Sequence, residues 1–173
     1  MDIARDGIAL YQVDSSELHE PMPKTPQQAY VMAQEYFDKW FGLAVSARML
    51  YQFSYDNKLL ADAGYNLQQA CERLYYCVLL VHTFYTPYSH NIKFLRTRAE
   101  TLSARLVEAW PRQTRKQEAM FNKLKDAYVK AKHAGQFIIT EEEFKFLSER
   151  VEVLGTIVND LCQNRLSELR AQV

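Results

Sequence analysis

The sequence predicts an all-α protein, an antiparallel up-and-down bundle of about five helices preceded by a short extended arm. Two observations carry that expectation. Thr25-Pro26-Gln27-Gln28, Thr114-Arg115-Lys116-Gln117 and Thr140-Glu141-Glu142-Glu143 each place a capping Thr three residues before a side chain able to reach back to it. Between these starts, apolar residues recur at spacings of three and four, and Pro87, Pro111 and Gly135 punctuate the pattern.

The first helix is expected from Pro26 to Phe53, with Tyr30, Ala33, Phe37, Phe41 and Ala44 as its buried stripe. Pro26 suits the first helical position because a helix leaves that N–H without a partner anyway. Asp56 or Asn57 should cap the second helix, whose Leu60, Leu67, Ala70, Leu74, Val78 and Val81 face the core and which ends before Pro87. The third is predicted as one helix from Ser89 to Ala109, stopped by Pro111, and the fourth from Thr114 to His133, closed by Gly135. The last should run from Thr140 to Arg170, about 45 Å at 1.5 Å per residue, with Phe144, Leu147, Val151, Leu154, Ile157, Val158, Leu161 and Leu169 on one face.

The first 24 residues read differently. Ile8 to Val13 has the pattern of a strand, and Glu20-Pro21-Met22-Pro23-Lys24 that of a stiff linker, so residues 1–24 form an arm and 25–173 the bundle.

Composition bounds the function. A chain of 173 residues that is 48% hydrophobic can bury a core of its own. Basic and acidic residues balance at 21 each, so any attraction to nucleic acid has to be local. Cys71, Cys77 and Cys162 lack metal-ligand spacing and fall at apolar helical positions, which predicts buried, reduced thiols in a cytoplasmic protein. Neither a secretion signal nor a run long enough to span a bilayer is visible, and no metal or cofactor is expected.

Two blocks carry a family resemblance. Gly64 to Tyr76, containing Gln68, Gln69, Glu72 and Arg73, is followed by Ser89-His90-Asn91. Later come Phe121-x-x-Leu124-x-x-Ala127-Tyr128-Val129-x-Ala131 and the Ile139-Thr140-Glu141-Glu142-Glu143 start. In this order they resemble HEPN domains, small helical bundles of which many partner a nucleotidyltransferase. Where members commonly carry an Arg-Tyr pair after the second block, this chain has Lys132-His133. The resemblance implies a homodimer, and it makes Asp2 to Tyr11 look like the closing strand of a preceding nucleotidyltransferase domain. An ordinary N-terminal arm is the alternative.

HEPN ribonucleases carry Arg-x(4 to 6)-His, pairing a phosphate-binding cation with a base that assists attack by a ribose 2′-OH. None of His19, His82, His90 and His133 has an Arg five to seven residues before it, so that motif is absent. His82 reads as a core residue. His90 reads first as a structural hydrogen-bonding residue at a helix start. Nucleotidyl transfer needs a Gly-Ser loop and Asp-x-Asp for two magnesium ions, and neither occurs. Glu141, Glu142 and Glu143 point in different directions around a helix and compensate its dipole instead of binding metal.

One charge feature stands out. From Arg112 to His133, seven cations face two carboxylates. A solvated face is the plain reading, and phosphate binding by Arg112, Arg115, Lys116, Lys123 and Lys130 is the sharper one. Arg73 and His90 mark a second possible cleft. The sequence therefore leads to the expectation of a non-catalytic nucleotide- or RNA-binding module that assists a nucleotidyltransferase. A divergent HEPN ribonuclease and a purely structural dimerisation domain are the alternatives.

Overall fold

The computed structural model describes residues 23–131 and 139–173, without the side chains of 128–131. The strand expected over Ile8 to Val13, the rest of residues 1–22, His133 and Gly135 lie outside the described residues. Six helices follow one another: α1 (Pro26–Asp56), α2 (Leu60–Thr83), α3 (Ile92–Glu100), α4 (Arg105–Glu108), α5 (Arg115–Ala131) and α6 (Glu141–Arg170). Among the described residues there is no strand, and no helix is long and apolar enough to cross a membrane.

All three capping boxes form. Gln28 N–H donates to the Thr25 hydroxyl at 3.2 Å while Thr25 N–H donates to Gln28 Oε1 at 3.0 Å. Thr114 with Gln117, and Thr140 with Glu143, repeat the exchange at 3.0–3.3 Å. Each box satisfies two backbone donors that the helix itself cannot, which is why these starts are legible without tertiary information.

Two boundaries differ from expectation. Asn57 does not start α2 but ends α1, donating from its side chain to Phe53 O at 2.8 Å, while the Asp56 carboxylate accepts from Gln52 at 2.9 Å. Lys58 then takes a left-handed conformation (φ 59°), and α2 begins behind Leu59 with no side-chain cap. The helix expected from Ser89 to Ala109 is broken. Thr101 Oγ1 donates to Arg98 O at 2.7 Å and Ser103 Oγ accepts from Arg105 N–H at 3.3 Å, so these side chains compete with the helical ladder and turn the chain between α3 and α4. The cap of α3 is Asn91, which accepts from both Lys93 and Phe94 N–H, and Ser89 supports it one step earlier by accepting from Asn91 N–H.

α2 is the axis of the bundle, touching α1, α3, α5 and α6. Every residue from Leu74 to Val81 is buried, which a two-sided surface helix could not manage. Of its predicted core positions only Leu60 is exposed, because it lies in the first turn beside the α1–α2 connection. α6 lays Phe144, Leu147, Val151, Leu154, Ile157, Val158 and Leu169 into the core as predicted, adds Cys162 and Leu166, and leaves Leu161 half-buried. In α1 the inward stripe is Ala33, Phe37, Ala44, Ala47 and Tyr51, with Tyr30 and Phe41 only partly covered.

Leu74 forms part of the floor of an open groove between α1 and α6, which Gly155 also lines. Truncation to Ala removes a buried side chain, but the groove admits water to part of the space left behind. Leu74→Ala should therefore destabilise toward the lower end of about 2–5 kcal/mol. Urea unfolding followed by circular dichroism measures it, and a loss under about 1 kcal/mol would mean that Leu74 is not a core residue.

Candidate functional site

Within the apolar surface of α2 two polar side chains are buried, Gln68 and Glu72. They are one helical turn apart and therefore on one face. A carboxylate withdrawn from water is costly unless its oxygens are answered. Both are. Glu72 Oε2 accepts from Gln68 Nε2 at 3.2 Å, and Glu72 Oε1 meets His90 Nδ1 at 3.2 Å. Gln69 donates to Gln68 Oε1 at 2.8 Å.

The connection between α2 and α3 is thereby docked onto α2 at three points. Besides the His90 ring, Gln68 Nε2 reaches His90 O at 3.5 Å and the Tyr76 hydroxyl donates to Ser89 O at 2.8 Å. Burial, then the neighbouring Glu72 charge, pushes the Tyr76 hydroxyl above its ordinary range, which keeps it protonated as the donor this contact needs. The Glu72 side chain is 4% exposed and that of His90 47%, so the carboxylate lies at the bottom and the imidazole at the mouth. The contact with Glu72 fixes the imidazole at that mouth.

Arg73, expected near His90, turns instead to α1 and donates to Leu43 O at 2.8 Å, clamping α1 to α2. What sequence reasoning missed is Glu72 as the partner of His90. Its signal is present as a Gln and a Glu at i and i+4 in an otherwise apolar helix, but the contact spans 18 residues and two elements.

The predicted basic residues divide into spent and available charges. Arg112 pairs with Glu100 at 3.1 Å, and the other Glu100 oxygen accepts from the buried Arg96 at 2.7 Å. Lys123 pairs with Glu143, joining α5 to the start of α6. Arg115 and Lys116 are exposed in the first turn of α5, where the positive end of the helix dipole adds to their potential. Lys130 belongs to α5, with its side chain outside the described residues. Arg112 also lines a cleft of about 200 Å³ between α3 and α5 together with Lys93, Arg96, Thr97, Glu118, Phe121 and Asn122. Arg96 is the structural member, lying 4.7 Å from the Phe121 ring centroid and donating to Trp110 O at 3.2 Å.

The thiols offer no nucleophile. Cys71 is fully buried and its thiol is pushed well up by that burial. Cys77 is likewise pushed up, by its hydrogen bond with Cys162 and by burial, their sulfurs lying 3.9 Å apart. His82 is half-buried, and burial with nearby Arg165 lowers its pKa, in keeping with a neutral packed residue. No group of three or more His, Cys, Asp or Glu that could hold a metal occurs among the described residues. No protein-family model matches the chain, and none of the curated proteins does.

Hydrogen bonding from Lys123 holds the Glu143 carboxyl below its usual range, with Thr140 adding to the effect against the opposing pull of burial. A depressed carboxylate stabilises the fold above its unfolded pKa and loses that contribution as pH falls through its folded value. Lys123→Met should therefore destabilise the protein at neutral pH, and the gap from wild type should close as Glu143 is protonated in acid. Urea unfolding at both pH values checks this, and an equal gap in both would exclude the pair as its source.

Proposed function

We propose that this chain is a non-catalytic nucleotide- or RNA-binding module of the HEPN type, which assists a nucleotidyltransferase. The observation that carries the reading is the 3.2 Å contact between Glu72 and His90, because it joins the two parts of the first block of the resemblance, the Gln68–Glu72 stretch of α2 and Ser89-His90-Asn91. A structural motif accounts for a polar pair in an apolar helix only if its partner is also in place, and here it is. The partner enzyme would supply metals and chemistry. This chain's part is to hold a phosphate-bearing ligand, with Arg115, Lys116 and Lys93 as its accessible cations and Arg112, paired with Glu100, at the edge of the same cleft. Three buried free thiols fit a cytoplasmic setting.

A second reading has a specific observation in its favour. An imidazole oriented by a buried carboxylate is also how a general base is positioned, and a divergent ribonuclease would use it on a ribose 2′-OH. Against that reading stands the missing Arg at motif spacing. Incubating RNA with the protein in metal-free buffer separates the two, because a binding module leaves the RNA intact. Cleavage that disappears in His90→Ala would replace the first reading with the second.

Binding itself is tested by fluorescence anisotropy with a labelled ATP analogue and a short labelled RNA. Arg115→Gln with Lys116→Gln should weaken binding and make its salt dependence shallower, by roughly 0.7 in log–log slope for each phosphate on a single strand that is no longer neutralised. Affinity unchanged by this pair would remove α5 from the interface.

The same reading includes a homodimer. Val45, Met49, Leu50 and Phe53 are exposed on α1, with Phe53 at 63%, beside the groove that Arg48 and Glu152 rim with opposite charges. A two-fold partner would cover the apolar face and pack beside the Arg48–Glu152 ion pair at its edge. Sedimentation should give a dimer at micromolar concentration and a shift toward monomer for Phe53→Glu, whereas a wild-type monomer would defeat this part of the proposal.

A further inference from the structure

We propose that the α2–α3 connection is a base-stacking platform for single-stranded nucleic acid, with Tyr88 as its principal ring. The proposal rests on the nucleotide- or RNA-binding reading and specifies its ligand and site. Tyr88 is 95% exposed, and Tyr85 is 68% exposed. An exposed ring on a floppy tip would mean little, but this loop is held. Its Ser89 and His90 carbonyls are bonded to α2, Ser89 Oγ accepts from Asn91 N–H at 3.2 Å, and Thr83 Oγ1 accepts from Tyr85 N–H at 3.2 Å. Tyr88 also meets the His90 ring edge-on, with centroids 5.8 Å apart. The chain thus presents an apolar ring to water from a backbone that is held in place, so a ligand that covers it need not order the loop.

Charge selects the kind of ligand. From Arg73 to Ala99 the sequence contains no Asp or Glu, while Arg73, Lys93, Arg96 and Arg98 are cationic. Arg73 and Arg96 are used inside the fold, whereas Lys93 and Arg98 are exposed on α3, with no carboxylate at ion-pair distance among the described residues. Lys93 lines the cleft that holds Arg112, and Arg98 lines a second hollow beside Tyr85 on the other side of α3. Open rings flanked by unopposed cations suit bases and phosphates, and a hydrophobic protein partner would leave those cations desolvated. Two rings three residues apart, with cations about 7.5 Å apart along the helix axis, extend beyond one nucleotide and favour a strand.

The test is anisotropy of a labelled single-stranded oligoadenylate with the full chain. Tyr88→Ala should weaken binding by about 5- to 150-fold, the loss of one base–aromatic stack. Tyr88→Phe should stay within about twofold of wild type, because stacking uses the ring face and not the hydroxyl. A blunt duplex should bind more weakly than the single strand, since its bases are already stacked on one another. Wild-type affinity in Tyr88→Ala, an equal loss in Tyr88→Phe, or equal affinity for the duplex would overturn the platform. If the charge-neutralised α5 variant still loses affinity while Tyr88→Ala does not, the platform fails and the broader binding reading stands. If the wild type binds neither the oligonucleotide nor the ATP analogue, both fail.

Discussion

A carboxylate buried in the central helix is the constraint around which the rest is arranged. α2 packs against four other helices, so nearly every direction from it leads into hydrocarbon. Glu72 can lie there only if both oxygens are met, and the two groups that meet them come from different places, Gln68 on the same helix and His90 on the connection to α3. Removing one partner of such a set leaves a polar group without water or a bond, which costs more than the bond itself contributes. The α2–α3 connection is therefore not free to drift. Its conformation is specified by the need to satisfy α2.

That docking places the start of α3, and α3 in turn carries a second buried ionic group. Arg96 bonds Glu100, the Trp110 carbonyl and the face of Phe121, thereby joining α3, the turn after α4, and α5. Glu100 then reaches Arg112 at the surface. The two networks differ in what they leave over. Around Arg96 the charges are paired and the guanidinium is packed, so that network holds elements together. Around Glu72 the contacts reach a half-exposed imidazole, so the same kind of contact that stabilises the fold also fixes a ring at the mouth of the site.

Local chemistry made much of the fold legible. The boxes at Thr25, Thr114 and Thr140 involve residues three apart, and the inward stripes of α1, α2 and α6 follow from a helical period, so neither needs knowledge of the neighbours. The errors share one origin. Asp56, Asn57, Thr101 and Ser103 all have side chains that can serve either the backbone before them or the backbone after them, and the sequence does not say which. Asn57 closes α1 when it could have opened α2, and Thr101 breaks a helix that the apolar pattern would have continued. The site was half legible for a related reason. Its residues lie in the blocks that suggested a family, but the Glu72–His90 pair is a tertiary contact, and only folding decides that Arg73 faces α1 while its neighbour Glu72 faces the loop.

The balance of charges shows how a chain of zero net charge can still present a cationic surface. Counting cations from Arg112 to Lys130 overstates what is available, because Lys123 is neutralised by Glu143 and Arg112 by Glu100. Counting along α2 and α3 understates it, because the buried glutamate at 72 is answered within the fold and no other carboxylate follows until Glu100. Beyond the screening length, about 8 Å at physiological ionic strength, salt damps the attraction between exposed charges, so net charge is a poor guide to binding. Closer in, a ligand meets individual groups, and those it meets at the loop, on α3 and in the first turn of α5 include the exposed cations Lys93, Arg98, Arg115 and Lys116. The segment that Glu72 holds in place is thus also the segment where positive charge and open aromatic faces coincide, and that coincidence follows from the folding constraint described above.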